Sequence, residues 1–221
     1  MNKAIAVIIT MGVFIGVFSC SYTTDSNNVQ ADKYKVPTVD KTLYGKLDTA
    51  YFASGCFWAV EGIFDSLKGV KEAESGYSGG NTKNPTYREV SNETTGHAET
   101  VAVYYDPKII SYATLLEVYF ASQDPTQVNG QGPDHGDSYR SVIFYTNADE
   151  QKLATDYKNK LAASGKYKKP IVVQIVPFKA FYKAEEYHQN YDQHHADEPY
   201  VASVSIPRIE RAQAMFLKLL K

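Results

Sequence analysis

One cysteine stands where the sequence could place a reactive thiol, in the stretch Gly55-Cys56-Phe57-Trp58. A run that predicts a strand over residues 48–53 stops at this glycine, and apolar residues from Phe57 to Leu67 then recur at the three-and-four spacing of one helix face. Cys56 is therefore predicted to lie in the first turn of a helix, where unpaired backbone N–H groups and the helix dipole favour an anion. A cysteine in such a place tends to be a thiolate, which is the nucleophilic form. The alternative is a small buried apolar residue, the usual environment of a free cysteine.

The elements that must position this cysteine alternate along the chain. Turn-rich segments at residues 76–87 and 124–138 are typical of functional loops. Strands interleaved with helices favour a layered α/β or α+β domain, and the order of the strands is not readable from the sequence. Strands are predicted at 48–53, 70–77, 98–105, 140–145 and 171–176, and helices after Cys56, after the N-cap Ser111, from Asn147 to near Gly165, and from Pro207.

Length and charge exclude several classes of protein. A chain of 221 residues is long enough for one substantial domain. A net charge of −2 gives no electrostatic reason to expect nucleic acid as a partner. Two cysteines, Cys20 and Cys56, are too few for a disulfide framework or a four-cysteine zinc site.

The N-terminal segment is predicted to be an export signal. An apolar run over residues 4–18 follows one positive charge, Lys3, and is shorter than a typical membrane span. It ends Ser19-Cys20, similar to a bacterial lipoprotein signal over residues 1–20 with Cys20 as the lipidated residue; an ordinary signal peptide and an uncleaved anchor are the alternatives. Residues 21–41 are polar and predict a flexible tether, so the catalytic domain is expected to be 42–221. These features predict a lipid-anchored location in the cell envelope of a bacterium.

Several motifs occur in one order and together resemble the A class of peptide methionine sulfoxide reductases. They are Gly-Cys-Phe-Trp at 55–58, Gly-Tyr-Ser-Gly-Gly at 76–80, Asn-Pro-Thr-Tyr-Arg-Glu-Val at 84–90, Thr-Gly-His-Ala-Glu at 95–99, Asp-His-Gly at 134–136, Ser-Tyr-Arg-Ser at 138–141 and Ala-Ser-Val-Ser-Ile at 202–206. The resemblance covers nearly the whole predicted domain. It implies an α+β fold, a two-layer α/β sandwich with a ferredoxin-like core, a mixed sheet and helices.

The resemblance also implies the catalytic roles. Cys56 would attack the sulfoxide sulfur and be left as a sulfenic acid. Glu99 would be the acid that protonates the sulfoxide oxygen, which requires that it stay partly protonated near neutral pH, as burial in an apolar pocket allows. Tyr87 and Tyr139 would donate hydrogen bonds to the same oxygen, and Asp134 would orient groups around it.

Two aromatic residues complete the implied substrate pocket. Phe57 and Trp58 would hold the ε-methyl group of the substrate, because a methyl beside a polar sulfoxide needs a pocket that is half apolar and half hydrogen-bond donor. Without the resemblance, both rings would be interpreted as core residues. The family implies no metal and no cofactor, and it implies the S epimer of methionine sulfoxide as substrate, free or in proteins.

The chain departs from the family pattern in its second half. Many members carry further cysteines near the C-terminus that attack the sulfenic acid, and this chain has none after Cys56. An external thiol is therefore expected to regenerate Cys56, supplied by a thioredoxin-like or glutaredoxin-like partner or by a small thiol. Smaller departures are Ala59, where the family commonly has glycine, and Gln123, where histidine is frequent.

The histidines leave other hypotheses open. A Cys–His hydrolase or acyltransferase would use His97 or His188 as the base for Cys56. His188, His194 and His195 cluster late in the chain, but their spacing matches no recognised metal site. A third hypothesis is a non-catalytic envelope lipoprotein whose Gly/Tyr-rich loops bind a partner.

Overall fold

The computed structural model describes residues 46–221. The predicted signal segment 1–20 with Cys20, the tether 21–41 and the first residues of the predicted domain lie outside the described residues. The strands are β1 (Asp48–Ala53), β2 (Val70–Ser78), β3 (Ala98–Tyr105), β4 (Gly130–Gln131), β5 (Asp134–His135), β6 (Val142–Tyr145), β7 (Gln174–Pro177) and β8 (Phe181–Lys183). The helices are α1 (Phe57–Asp65), α2 (Tyr87–Ser91), α3 (Tyr112–Ala121), α4 (Ala148–Ala163), α5 (Tyr191–His194) and α6 (Ile206–Met215).

The main sheet has six strands in the order β7-β6-β1-β3-β2-β8. Its four central strands are antiparallel neighbours in the order β6-β1-β3-β2. With α1 between β1 and β2 and α3 between β3 and β6, this is the βαββαβ order of a ferredoxin-like unit. Strand β7 then adds parallel to β6, which makes the sheet mixed. The predicted fold class is confirmed.

Alternating side chains of β1 give the sheet two different faces. Phe52 points to the helical layer, where its ring stacks at 5.2 Å on Phe64 of α1 and at 5.1 Å on Tyr119 of α3. Ala53 points to the opposite face and joins a small apolar cluster with Val142 and Phe144. Helix α1 is therefore held by its apolar stripe against the sheet, and its N-terminus lies beside the end of β1.

Two predicted strands begin later than the sequence indicates. The strand predicted from residue 140 begins at Val142, because the Arg140 guanidinium donates to the carbonyl of Asp137 in the preceding turn and to that of Gly96 in the loop before β3. The strand predicted over 171–176 is Gln174–Pro177, because the preceding Val172 N–H donates to the carbonyl of Pro125 rather than to a strand.

The C-terminal helix begins earlier than expected. Helix α6 begins at Ile206, one residue before the predicted Pro207, and a π-helical turn, Val201–Ser205, precedes it. Among residues 46–221, no helix combines the length and hydrophobicity that crossing a bilayer requires.

Candidate active site

Cys56 lies in a turn between β1 and α1 that is held by hydrogen bonds from other parts of the chain. Gly55 has φ +73, and a side chain at this position would collide with Gln131. The Gly55 N–H donates to the carbonyl of Tyr139 at 3.1 Å, and the Arg208 guanidinium donates to the Ser54 carbonyl at 2.8 Å. Cys56 follows as the N-cap of α1 and is only 6% exposed. The turn is thus held from both sides, which keeps the sulfur in one place.

The protonation of Cys56 differs from the expectation of a thiolate. Burial, followed by the Coulombic effect of the Glu99 carboxylate, raises the pKa of the Cys56 thiol well above its usual value. A backbone N–H at Trp58 and the hydroxyl of Tyr200 act in the opposite direction. The helix N-terminus therefore stabilises the thiolate, but desolvation is the stronger effect and Cys56 rests as a thiol.

Glu99 lies directly beside the nucleophile turn, at the second residue of β3. It is 3% exposed, and its Oε2 accepts a 2.9 Å hydrogen bond from the backbone N–H of Phe57. Burial raises the pKa of Glu99 to about 8, although the Phe57 N–H favours the charged form. Within the described residues its Oε1 forms no hydrogen bond. At neutral pH Glu99 is therefore largely a neutral acid, as its predicted role requires.

Tyr87 and Tyr139 are placed by two short helical turns. Thr86 forms a capping box with Glu89 that starts α2 at Tyr87, and Tyr139 ends the 3₁₀ turn Asp137–Tyr139. Burial raises the pKa of Tyr87 to about 12 and that of Tyr139 still further, and the charges of Glu99 and Cys56 add to both effects. Within residues 46–221 neither hydroxyl has a hydrogen-bond partner. Both are therefore neutral donors available to a ligand.

Asp134 is connected to the surroundings of the sulfur through Tyr200. The hydroxyl of Tyr200 donates to Oδ2 of Asp134 at 2.7 Å, and the same hydroxyl lowers the pKa of the Cys56 thiol. Burial raises the pKa of Asp134, against the effect of this hydrogen bond. Tyr200 was not predicted, because it is one of 18 tyrosines and lies in a segment without a periodic pattern.

Phe57 and Trp58 form an aromatic wall, but they are not equally accessible. Phe57 is 1% exposed, so its ring lies behind the pocket. Trp58 is half-buried, stacks on Tyr191 with ring centroids 3.8 Å apart, and donates from Nε1 to Nδ1 of His188 at 3.1 Å. Trp58 is therefore fixed in orientation by two partners that sequence reasoning did not identify.

Neither histidine offered as a base pairs with Cys56. Nδ1 of His97 accepts from the Gly80 N–H at 3.0 Å, and its Nε2 lies 2.7 Å from the carbonyl of Thr82, so this ring holds the loop before Glu99. Nδ1 of His188 accepts the hydrogen bond from Trp58 Nε1–H, and burial lowers the pKa of His188 to about 4. The arrangement has a neutral acid beside the sulfur and no histidine base, which defines a thiol-dependent oxidoreductase rather than a Cys–His hydrolase.

Comparisons with known proteins agree with this class. The family model described as peptide methionine sulfoxide reductase matches residues 48–218. Peptide methionine sulfoxide reductase MsrA of Picrophilus torridus is 47% identical over 169 residues, which is 76% of this chain and 95% of that protein. The chain belongs to the peptide methionine sulfoxide reductase family, in its A class.

Solved structures support the same assignment. Mxr1 from Saccharomyces cerevisiae in its reduced form superposes with a TM-score of 0.65 at 32% identity, covering 69% of this chain and 87% of that one. Methionine sulfoxide reductase A of Corynebacterium diphtheriae superposes with a TM-score of 0.61 at 34% identity, covering 68% of this chain and 76% of that one.

Proposed function

We propose that this protein reduces the S epimer of methionine sulfoxide, free or in proteins, to methionine, with Cys56 as nucleophile and Glu99 as acid. The observation that carries the proposal is the joint geometry of the pair. Glu99 is bound by the N–H of Phe57, the residue after Cys56, at 2.9 Å, and burial keeps it protonated at neutral pH. A neutral carboxyl beside a thiol can deliver a proton to an oxygen that the sulfur is about to accept.

In the first half-reaction the sulfoxide oxygen would lie among Glu99, Tyr87 and Tyr139, with the methyl group against Trp58. The Cys56 sulfur attacks the sulfoxide sulfur while the Glu99 proton moves to the oxygen, and the proton lost by the thiol restores Glu99. The oxygen then passes to Cys56 as a sulfenic acid, and methionine leaves. Cys56 loses the two electrons that the substrate sulfur gains, so the step balances without a cofactor.

In the second half-reaction an external thiol regenerates Cys56. The first thiol displaces the hydroxyl as water and forms a mixed disulfide, and a second thiol resolves it to free Cys56 and an external disulfide. The chain has no cysteine after Cys56 that could take the first role. The donor is a thioredoxin-like or glutaredoxin-like protein or a small thiol.

Turnover of a methionine sulfoxide substrate with dithiothreitol tests the reductase assignment. Wild type should release methionine and Cys56→Ser should not, because serine cannot accept the oxygen at sulfur. Failure of the wild-type protein to reduce either epimer in excess reductant would overturn the proposal.

A single turnover without reductant tests the fate of Cys56. One equivalent of substrate should leave a sulfenic acid that dimedone labels at Cys56. A quantitative intramolecular disulfide in place of the label would refute regeneration by an external thiol.

The proposed location is the bacterial cell envelope, with the chain anchored through lipid on Cys20. The support is the sequence of residues 1–20 alone, an apolar run that ends at Ser19-Cys20. Intact-mass analysis of membrane-extracted protein should find a mature form that begins at a lipid-modified Cys20, and Cys20→Ser should abolish it. A mature N-terminus at any other residue would contradict the anchor.

A further inference from the structure

A cavity of about 640 Å³ reaches Cys56 from a side that the proposed first half-reaction does not use. It lies between α6 and the loop that carries β4 and β5. Its lining includes Cys56, Tyr200 and Asp134, whereas Glu99, Tyr87 and Tyr139 are not part of it. The sulfur is therefore open to a second approach, separate from the groups that would hold the sulfoxide oxygen.

Three side chains that line this cavity have N–H groups without a hydrogen-bond partner among the described residues. Arg208 is 9% exposed and uses three N–H groups on Ser54 and Ser122, which leaves two of its five donors unused within residues 46–221. Gln123 accepts from the Ser141 hydroxyl through Oε1, while its buried Nε2 has no partner within that range. Arg211 is exposed and forms no ion pair with any described residue.

The two aspartates of the cavity each have one oxygen engaged. Asp134 accepts from Tyr200 through Oδ2, and Asp124 accepts from the backbone N–H and the hydroxyl of Thr126 through Oδ1. With the unused N–H groups of two guanidinium groups and the Gln123 amide, the unused polar groups of the cavity are mainly hydrogen-bond donors. Such a site favours a ligand that carries a carboxylate, since arginine recognises carboxylates by paired charge-assisted hydrogen bonds.

We propose that this cavity binds the reducing substrate, a low-molecular-weight thiol that carries at least one carboxylate. This inference rests on the proposed regeneration of Cys56 by an external thiol. Displacement at a sulfenic sulfur proceeds in line with the bond to the leaving oxygen. With that oxygen held among Glu99, Tyr87 and Tyr139, the attacking thiol must come from another side of the sulfur, and the cavity is lined by Cys56 but by none of those three residues. Its volume is within the range of pockets that enclose small molecules.

The chemistry of the step is balanced by the thiol itself. The bound thiol forms an S–S bond to Cys56 as the S–O bond breaks, and the hydroxyl leaves as water with the thiol proton. A second thiol of the same kind attacks the mixed disulfide, releases the external disulfide and restores the Cys56 thiol. Two electrons pass from the two thiols to the oxidised cysteine.

The test uses the sulfenic acid formed by one equivalent of methionine sulfoxide in the full chain. Its decay is followed by rapid mixing with 3-mercaptopropionate, 2-mercaptoethanol or cysteamine, and each rate is divided by the thiolate concentration. The carboxylated thiol should react about tenfold faster than the neutral one, and the cationic one slowest. Arg211→Gln should remove most of this preference and Arg211→Lys should keep part of it, whereas the matched exposed control Lys218→Gln should retain it in full.

Equal rates for the three thiols in wild type, or a preference that survives Arg211→Gln, would overturn the inference. Reduction of Cys56 by a thioredoxin-like protein and by none of the small thiols would also overturn it. A change in the KM for a sulfoxide peptide in Arg211→Gln, with the thiol preference unchanged, would overturn it too, because that result would assign the cavity to the sulfoxide substrate. A protein that forms no sulfenic acid at all would instead refute the proposed function. The two failures are thus distinguishable.

Discussion

The backbone N–H of Phe57 donates a 2.9 Å hydrogen bond to Oε2 of Glu99, which joins the residue after the nucleophile to the acid. One oxygen of the carboxyl is thereby fixed at the N-terminus of α1. The other oxygen is left to carry the proton. Because the same turn bears Cys56, any movement of α1 displaces the sulfur and the acid together.

Replacing Glu99 with glutamine should slow the first half-reaction by about 10²–10⁴-fold, the usual contribution of a general acid. Glutamine can still accept the Phe57 hydrogen bond, so the turn should keep its shape while the proton is lost. Single-turnover release of methionine measures the effect. Glu117→Gln, on the exposed face of α3, is the matched control and should react like wild type. An equal loss in both variants would mean that the acid role is misassigned.

The rate of the first half-reaction should fall as the pH rises through about 8. Burial raises the pKa of Glu99 to about 8, and the protonated form is the one that donates to the sulfoxide oxygen. The acid is therefore present at pH 7 and lost above pH 8. Methionine release in single turnover between pH 6 and 10 measures the profile. The fall should be absent in Glu99→Gln, and a wild-type rate that is constant to pH 10 would contradict the assignment.

The Tyr200→Phe substitution should make Cys56 less reactive. The Tyr200 hydroxyl lowers the pKa of the Cys56 thiol against the effect of burial, so its removal should raise that pKa further. A hydrogen bond to a charged group corresponds to about tenfold in thiolate population, and alkylation of Cys56 by iodoacetamide should slow by that order at a given pH. Peptide mass spectrometry follows the reaction. Tyr145→Phe, at the end of β6, is the control, and equal alkylation in both variants would show that the Tyr200 hydroxyl has only a structural role.

Local patterns in the sequence predicted the frame of the site. The bounds of β1 and β3 and the start of α1 agree with the prediction, because each follows from a run of apolar residues ended by a glycine or by Asp106-Pro107. The N-cap at Ser111 was also predicted from the sequence, and its side chain accepts from the Thr114 N–H. The positions of Cys56 and Glu99 at the junctions of these elements were thus accessible without coordinates.

What escaped prediction depends on tertiary contacts. Strand β8 has three residues and is defined only by its pairing with β2. The contacts of Tyr200 and His188 with the site arise from residues far apart in the chain, and no local spacing encodes them. The sequence left a thiolate and a buried thiol at Cys56 both open for the same reason, since the helix terminus is visible in the sequence but the burial that raises the pKa of the thiol is not.

A second buried acid, Glu61 on α1, should make the protein less stable as the pH rises. Burial raises the pKa of Glu61 to about 8, whereas an unfolded glutamate titrates near pH 4.3. The neutral form therefore stabilises the fold fully below about pH 4.3, and this contribution is lost as the pH rises through 8.

Substitution of this acid by glutamine provides the measurement. Glu61 accepts from the Ser75 hydroxyl and the Asn190 N–H, and a glutamine can bond to both residues. At pH 9 the free energy of unfolding of Glu61→Gln should exceed that of wild type by on the order of 2–5 kcal/mol, with no difference at pH 4. Urea unfolding at several pH values determines both. A variant that is less stable than wild type at pH 9 would show that Glu61 is needed as a carboxylate.

Trp58 emission should report the protonation of His188 with a midpoint near pH 4. Trp58 is the only tryptophan of the chain, and its Nε1–H donates to Nδ1 of His188 at 3.1 Å. Burial lowers the pKa of His188 to about 4, and a protonated Nδ1 cannot accept the bond. Since an unfolded histidine titrates near pH 6.5, the neutral ring stabilises the fold above that value, and this contribution is lost as the pH falls through 4.

Emission of Trp58 should stay constant from pH 8 to 5 and then change reversibly, while far-UV circular dichroism shows that the chain is still folded. His188→Gln keeps an acceptor that does not titrate, so its emission should lack this transition, and a wild-type midpoint near pH 6.5 would mean that the ring is hydrated rather than locked against Trp58.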